Sequence, residues 1–209
     1  MKTGFKNNKW WFTMVELLVA ILIFTLWWLS AYLLVYSAMS SSVKAKNEMI
    51  AWNLAREKIE LVKNIRDTNW VRSLDWNRLD NWVVENPWSV PYLTWGYYKI
   101  ENSFQLDDAS RPSIKIIKMS PSFTETKNNI LNPATIQDRT MLCLDDKWRY
   151  NYTCSPWEKP TKFYALLKVS PLVSTVAVDN AFRLDAIIYN YDRSFNKYVV
   201  STIITDWKR

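Results

Sequence analysis

From Met14 to Met39 the chain is apolar, broken only by Glu16, Thr25, Ser30 and Ser37. As a helix with about 1.5 Å rise per residue, that run spans a hydrocarbon core of roughly 30 Å. One end of the chain must therefore be covered by lipid or by other protein. Lys2, Lys6 and Lys9 precede the run, which predicts a basic leader on the cytoplasmic side. A secretory signal would have a shorter apolar core ending at a small-x-small site, and Ser37-Ala38-Met39 is a poor one. A plain signal anchor is the simpler alternative. Glu16 argues against it, because a carboxylate near the start of a membrane span is expensive and needs a partner.

The helix is predicted to continue past Ser40-Ser41-Ser42. Val43 to Ile65 contains no Gly or Pro. Ile50, Leu54, Ile59, Leu61, Val62 and Ile65 fall near one face, with Lys44, Lys46, Glu48, Arg56, Lys63 and Asn64 largely elsewhere. An apolar half thus leads into an amphipathic half. Ile65-Arg66-Asp67-Thr68-Asn69-Trp70 is expected to close it, with Trp70 packing at its end.

Residues 71–96 read as a loop, rich in Asp, Asn and Pro. Strands are predicted over Tyr97–Phe104, Ser113–Met119, Phe163–Val169, Phe182–Tyr191 and Tyr198–Thr205, each rich in β-branched or aromatic residues. Asp192–Asn196 should join the last two as a hairpin. Residues 120–162 are polar and read as a long insertion, with room for a short hairpin. The expected fold class is α+β: a long N-terminal helix, transmembrane then amphipathic, packed on a C-terminal antiparallel sheet. The expected organisation is a leader over 1–11, a helical spine over 12–66 with its membrane segment at 14–39, and a β-rich domain over 67–209.

Glycine is the anomaly. Ordinary usage near 7% would give about fifteen; the chain has 2 Gly and 13 Trp, which together make that number. Position sharpens the point. Trp76 in Asp75-Trp76-Asn77, Trp82 after Asn81, Trp88 after Pro87, Trp95 before Gly96 and Trp157 after Pro156 all sit in turn-like stretches. With glycine there, those dipeptides become DG, NG, PG, GG and PG, which mark tight turns. The expectation is that most of these tryptophans are UGA codons that the source reads as glycine, as some bacterial lineages do. Trp70 and Trp207 end apolar segments and are expected to be genuine, and Trp52, inside a helix, is a poorer candidate for glycine. The alternative is a truly Trp-rich domain with exposed rings.

Lys9-Trp10-Trp11-Phe12-Thr13-Met14-Val15-Glu16 and the apolar run after it resemble a type IV prepilin. The resemblance covers about residues 9–70 and extends downstream only as the plan of spine plus sheet. It implies a pilin fold, cleavage by a prepilin peptidase between Trp11 and Phe12, and methylation of the new Phe12 amine. It also implies that Glu16 pairs with the Phe12 amine of a neighbouring subunit during assembly. The family carries Gly before the cut, where this chain has Trp11; a glycine there completes the motif. The implied partners are other pilin subunits, the peptidase and the inner membrane, with an extracellular filament or periplasm-like space as destination.

Chemistry is otherwise sparse. There is no His, which removes the usual general base and the commonest metal ligand, and no phosphate-cradling loop or nucleophile elbow is visible. No enzyme and no cofactor are expected. Asp107-Asp108 and Asp145-Asp146 lack the ligand spacing of an EF-hand loop and read as solvated turns. Cys143 and Cys154 enclose a polar loop; outside the cytoplasm they would form a disulfide, and inside it they would be reduced thiols. The net charge of +7 falls by three if the leader lysines are removed, an excess that an ordinary surface explains and that argues little for DNA. A minor pilin of a type IV pilus is the leading reading. A secretion pseudopilin, a DNA-uptake pilin and, if the tryptophans are genuine, a membrane-anchored carbohydrate-binding module are the alternatives.

Overall fold

A computed structural model describes residues 13–79, 92–106, 112–152, 154–172, 181–192 and 194–206. The chain divides into two compact units, residues 1–46 and 47–209. Helix α1 (Met14–Val71) runs through both. In the second unit it is followed by strands β1 (Gly96–Leu106) and β2 (Pro112–Lys118), the short helix α2 (Lys127–Leu131), and strands β3 (Met141–Leu144), β4 (Tyr150–Asn151), β5 (Lys159–Pro171), β6 (Ala181–Tyr191) and β7 (Phe195–Thr205).

All pairings are antiparallel, and β5 is the centre of the sheet. One edge of β5 pairs along its length with β6, which pairs with β7. Its other edge is shared end to end, by β1 at Leu167–Val169 and by β3 nearer the start of β5. β2 extends the sheet beyond β1, and β4 extends it beyond β3. This is the predicted α+β arrangement of one long N-terminal helix on a C-terminal antiparallel sheet.

Helical and strand periods meet in one core. Along α1, Ala51, Leu54, Ala55, Ile59, Val62 and Ile65 are buried at spacings of three and four. They pack against Tyr98 and Ile100 of β1, Ala165 and Leu167 of β5, and Leu184, Ala186 and Ile188 of β6. The other sheet face is also covered. Leu166, Ile187 and Tyr189 cluster there with Met119, Phe123 and Ile130 from the segment after β2. Sequence patterning missed that cover, because its apolar residues stand singly among polar ones.

The helix runs about a turn past the spine boundary at residue 66, through the expected closing segment Ile65–Trp70, and stops at Val71. Buried Asn69 explains the extra turn: its Nδ2 donates to the carbonyls of Arg78, at 2.7 Å, and Trp76, at 3.3 Å. Ser73 then adopts φ 57°. The amides of Ser73 and Leu74 donate back to Trp70 and Asn69 carbonyls, at 3.0 and 2.9 Å, which is a Schellman closure. Trp70 is half-buried at this end. The 71–96 stretch is a loop in its described parts, yet it delivers Trp76, Leu79 and Leu93 to the core.

Among the described tryptophans, Trp95, Trp148 and Trp157 are 73%, 80% and 89% exposed. Trp148 is the most constrained. The β3–β4 hairpin closes with the Trp148 amide donating to the Asp145 carbonyl at 3.2 Å, and Trp148 itself sits at φ 62°. A left-handed residue after such a turn is the place for glycine in a three-residue hairpin loop. Trp76 differs, with its ring buried 5.3 Å from that of Phe182. Trp11, Trp82, Trp88 and Trp207 lie outside the described residues. Trp148→Gly should raise stability by about 1 kcal/mol, the cost of a left-handed non-glycine residue, read as a higher urea midpoint.

Candidate functional site

The N-terminal end of α1 carries the sequence-predicted site. Thr13 is its N-cap: the Glu16 amide donates to Thr13 Oγ1 at 3.3 Å. In return, Glu16 Oε2 accepts from the Thr13 amide at 3.0 Å and from its hydroxyl at 3.1 Å. This reciprocal box satisfies orphan donors of the first turn, and the helix dipole favours a carboxylate there. The T-x-x-E capping signal stands in the sequence, whereas the family resemblance gives Glu16 only an inter-subunit role. Trp11 and Phe12, the expected cleavage and methylation residues, lie outside the described residues, so the Glu16–Phe12 pairing does too.

The segment that follows is long and apolar enough to cross a membrane. None of its apolar 18-residue core is buried within the protein. Its polar side chains bond back within the helix: Thr25 Oγ1 donates to the Leu22 carbonyl at 2.8 Å, and Ser30 Oγ to the Leu26 carbonyl at 2.9 Å. Both hydroxyls are thus paired without water, as hydrocarbon requires. An exposed apolar surface of this length needs lipid or protein around it.

Cys143 and Cys154 form a disulfide, with Cα atoms 5.4 Å apart. Cys143, on β3, is fully buried, and the bond ties that strand to the residues after β4. At the hairpin tip, Asp145 Oδ1 accepts from the amides of Lys147 and Arg149, at 2.9 and 2.8 Å. Its Oδ2 takes the Arg149 guanidinium at 2.7 Å. The Arg149 amide chiefly, then the guanidinium and the Lys147 amide, outweigh desolvation and hold this carboxyl below the usual carboxylate range. Asp145 thus serves as a turn cap, and among the described residues no group of three acidic, His or Cys side chains could hold a metal. Asp107 and Asp108 lie outside the described residues. Replacing both cysteines by Ser should cost about 2–3 kcal/mol of stability relative to the oxidised chain, read from the denaturant midpoint; an unchanged midpoint would contradict a stabilising disulfide.

A second polar group is buried where β1 parts from β5. Lys58 of α1, fully buried, has its ammonium 3.2 Å from Glu57 Oε1 and 5.5 Å from the centre of the Tyr152 ring. Lys99 approaches the same ring at 5.7 Å, and Glu101 Oε2 accepts the Tyr152 amide at 2.8 Å. Charge inside the fold was not expected from the sequence, since a lysine in an amphipathic stripe reads as exposed. Burial lowers the Lys99 ammonium to about 8, with Glu101 opposing. Between pH 8 and 10 the folded chain therefore releases a proton that the unfolded chain keeps, so stability should rise with pH. Above about 10 the trend should reverse, because burial raises the Tyr152 phenol above its ordinary 10.0. Lys99→Met should remove most of the rise, leaving the part that the half-buried Lys118 contributes; a flat profile in the unsubstituted chain would contradict it.

Compared with known proteins, the chain matches no protein-family profile, no curated protein and no solved structure.

Proposed function

We propose that this chain is a pilin-like structural subunit, a minor pilin of a type IV pilus. The observation that carries the reading is the exposed, membrane-length start of α1, opening on the Thr13–Glu16 box, in the same helix whose later turns pack on an antiparallel sheet. In this reading residues 1–11 are a leader, cut before Phe12 by a prepilin peptidase, and the new amine is methylated. The apolar half anchors the subunit in the inner membrane and then enters a filament core beside the same half of other subunits. Thr13 gives Glu16 a partner before assembly, so the carboxylate is not left unpaired in hydrocarbon. On assembly the carboxylate takes the Phe12 amine of a neighbour, which sets the stagger between subunits. The globular part faces outward, where a disulfide persists.

The same reading takes most of the tryptophans as glycines of the native protein. At Trp11 this restores the small residue that the peptidase requires. Trp148 supports it most directly, because its left-handed backbone is a genuine outlier for a bulky residue. Trp76 is the most demanding position, because its ring fills core space.

Mass spectrometry of the native protein tests both parts. The expected product is a mature chain beginning at N-methyl Phe12, with glycine in the peptides that cover positions 95, 148 and 157. An unprocessed chain in the native host would count heavily against the pilin reading. Tryptophan at position 148 would remove the reassignment.

A further inference from the structure

Strand β7 is an open edge. It runs for 11 residues beside β6 in an unbroken register, and among the described residues no strand pairs with its other side. Such an edge presents a row of backbone N–H and C=O groups to any incoming strand, and proteins guard it with lysine, proline, bulges or shortness. The other described edges are guarded. β2 carries Pro112, Lys115 and Lys118, and its ladder with β1 slips between Asn102 and Leu106. β4 is only two residues long. β7 has no proline and no bulge, and its single charged residue, Lys197, donates to Glu125. From Tyr198 to Thr205 the edge is uncharged and, Ser201 apart, wholly β-branched or aromatic.

The edge also complements itself. Val199 and Ile203 are 36% and 55% exposed and stand either side of Ser201, on the sheet face away from α1. A twofold axis through Ser201, perpendicular to the sheet, lays β7 antiparallel on the β7 of a second copy. Val199 of each copy then faces Ile203 of the other. On the helix side Tyr198 faces Ile204, and Val200 faces Thr202. The two Lys197 residues fall at opposite ends of the pair, each against Thr205. Sliding the register one step sets Lys197 or Ser201 against Ile203 instead. The same axis reverses the packed half of α1, so the two chains enter the joined sheet from opposite ends. Chains anchored side by side in one membrane would enter from the same end.

We propose that β7 makes a homotypic contact in trans: it pairs antiparallel with β7 of a second copy of this chain anchored in a facing membrane. The proposal rests on the start of α1 as a membrane anchor, and it holds whether or not the chain assembles as a pilin. No doubtful tryptophan lies in β7. One strand pair is a small interface and binds weakly alone. Its strength comes from many copies acting between the same two surfaces.

The full chain reconstituted into phosphatidylcholine vesicles tests the contact. Flotation with the vesicles reports the anchor by itself, and dynamic light scattering reports tethering. Vesicles carrying the unsubstituted chain are expected to cluster. Val199→Lys and Ile203→Glu should each weaken the pair about tenfold, as loss of two apolar cross-strand pairs does, and so abolish clustering. Mixing vesicles that carry Val199→Lys with vesicles that carry Ile203→Glu should restore it. The new lysine then faces the new glutamate on one side of the axis, and Ile203 faces Val199 on the other. Oxidation of clustered vesicles should cross-link Ser201→Cys to its own copy. It should not cross-link Ile136→Cys, an exposed position whose neighbour Gln137 bonds β2. Circular dichroism identifies any variant that does not fold. A chain that does not float overturns the anchor on which the proposal rests. The proposal itself is overturned if floated vesicles do not cluster, if the folded single variants cluster like the unsubstituted chain, or if the mixture does not restore clustering. Cross-linking of Ser201→Cys without clustering would overturn it too, by placing the contact within one membrane.

Discussion

One helical stripe laid on one sheet face holds the globular unit together. Ala51 and Ala55 are small enough to bring the helix close to the strands, and Leu54, Ile59, Val62 and Ile65 fill the space between them. Burying a Leu or Ile side chain contributes roughly 1.5–3 kcal/mol, so this stripe is a large fraction of the stability of a modest domain. Other features depend on it. Asn69 ties the helix end to the loop carbonyls of Trp76 and Arg78, in the same loop that brings Trp76 and Leu79 to this core. The loop after Val71 must then fold back to place Leu79 and Leu93 over the same core.

The two halves of α1 solve opposite solvent problems. The first half presents apolar side chains outward and bonds its few polar groups to its own backbone or first turn. The second half turns an apolar stripe inward and carries charges such as Lys63 and Glu60 outward, paired at 2.9 Å. A surface ion pair of that kind adds little stability, so the contrast in burial, not charge, distinguishes the halves.

The long helix and the five main strands were legible because their periods are clean. On β6, Leu184, Ala186 and Ile188 alternate with Asp185, Ile187 and Tyr189, and the structure sends the first set to the helix. Strand ends proved longer than read, as at β5, because Lys159–Lys162 carry no apolar alternation and are held by pairing with β3. The expected site was legible as a motif around Phe12 and Glu16. The Thr13 partner is a separate, local T-x-x-E signal, whereas the pilin resemblance concerns the carboxylate alone.

Lys58 gives the helix–sheet packing an alignment as well as an energy. An apolar stripe with a helical repeat can slide by about one turn and still bury oil against oil. Such a slide would move Lys58 into the place of Val62, which borders Leu79, Leu93, Ile116 and Ile204. There its ammonium would lose the Tyr152 ring and face an apolar lining, and burying a charge against apolar groups is costly even with Glu57 carried along beside it. The buried lysine therefore acts as a notch: it adds little to the strength of the grip, but it leaves the helix only one position along the sheet.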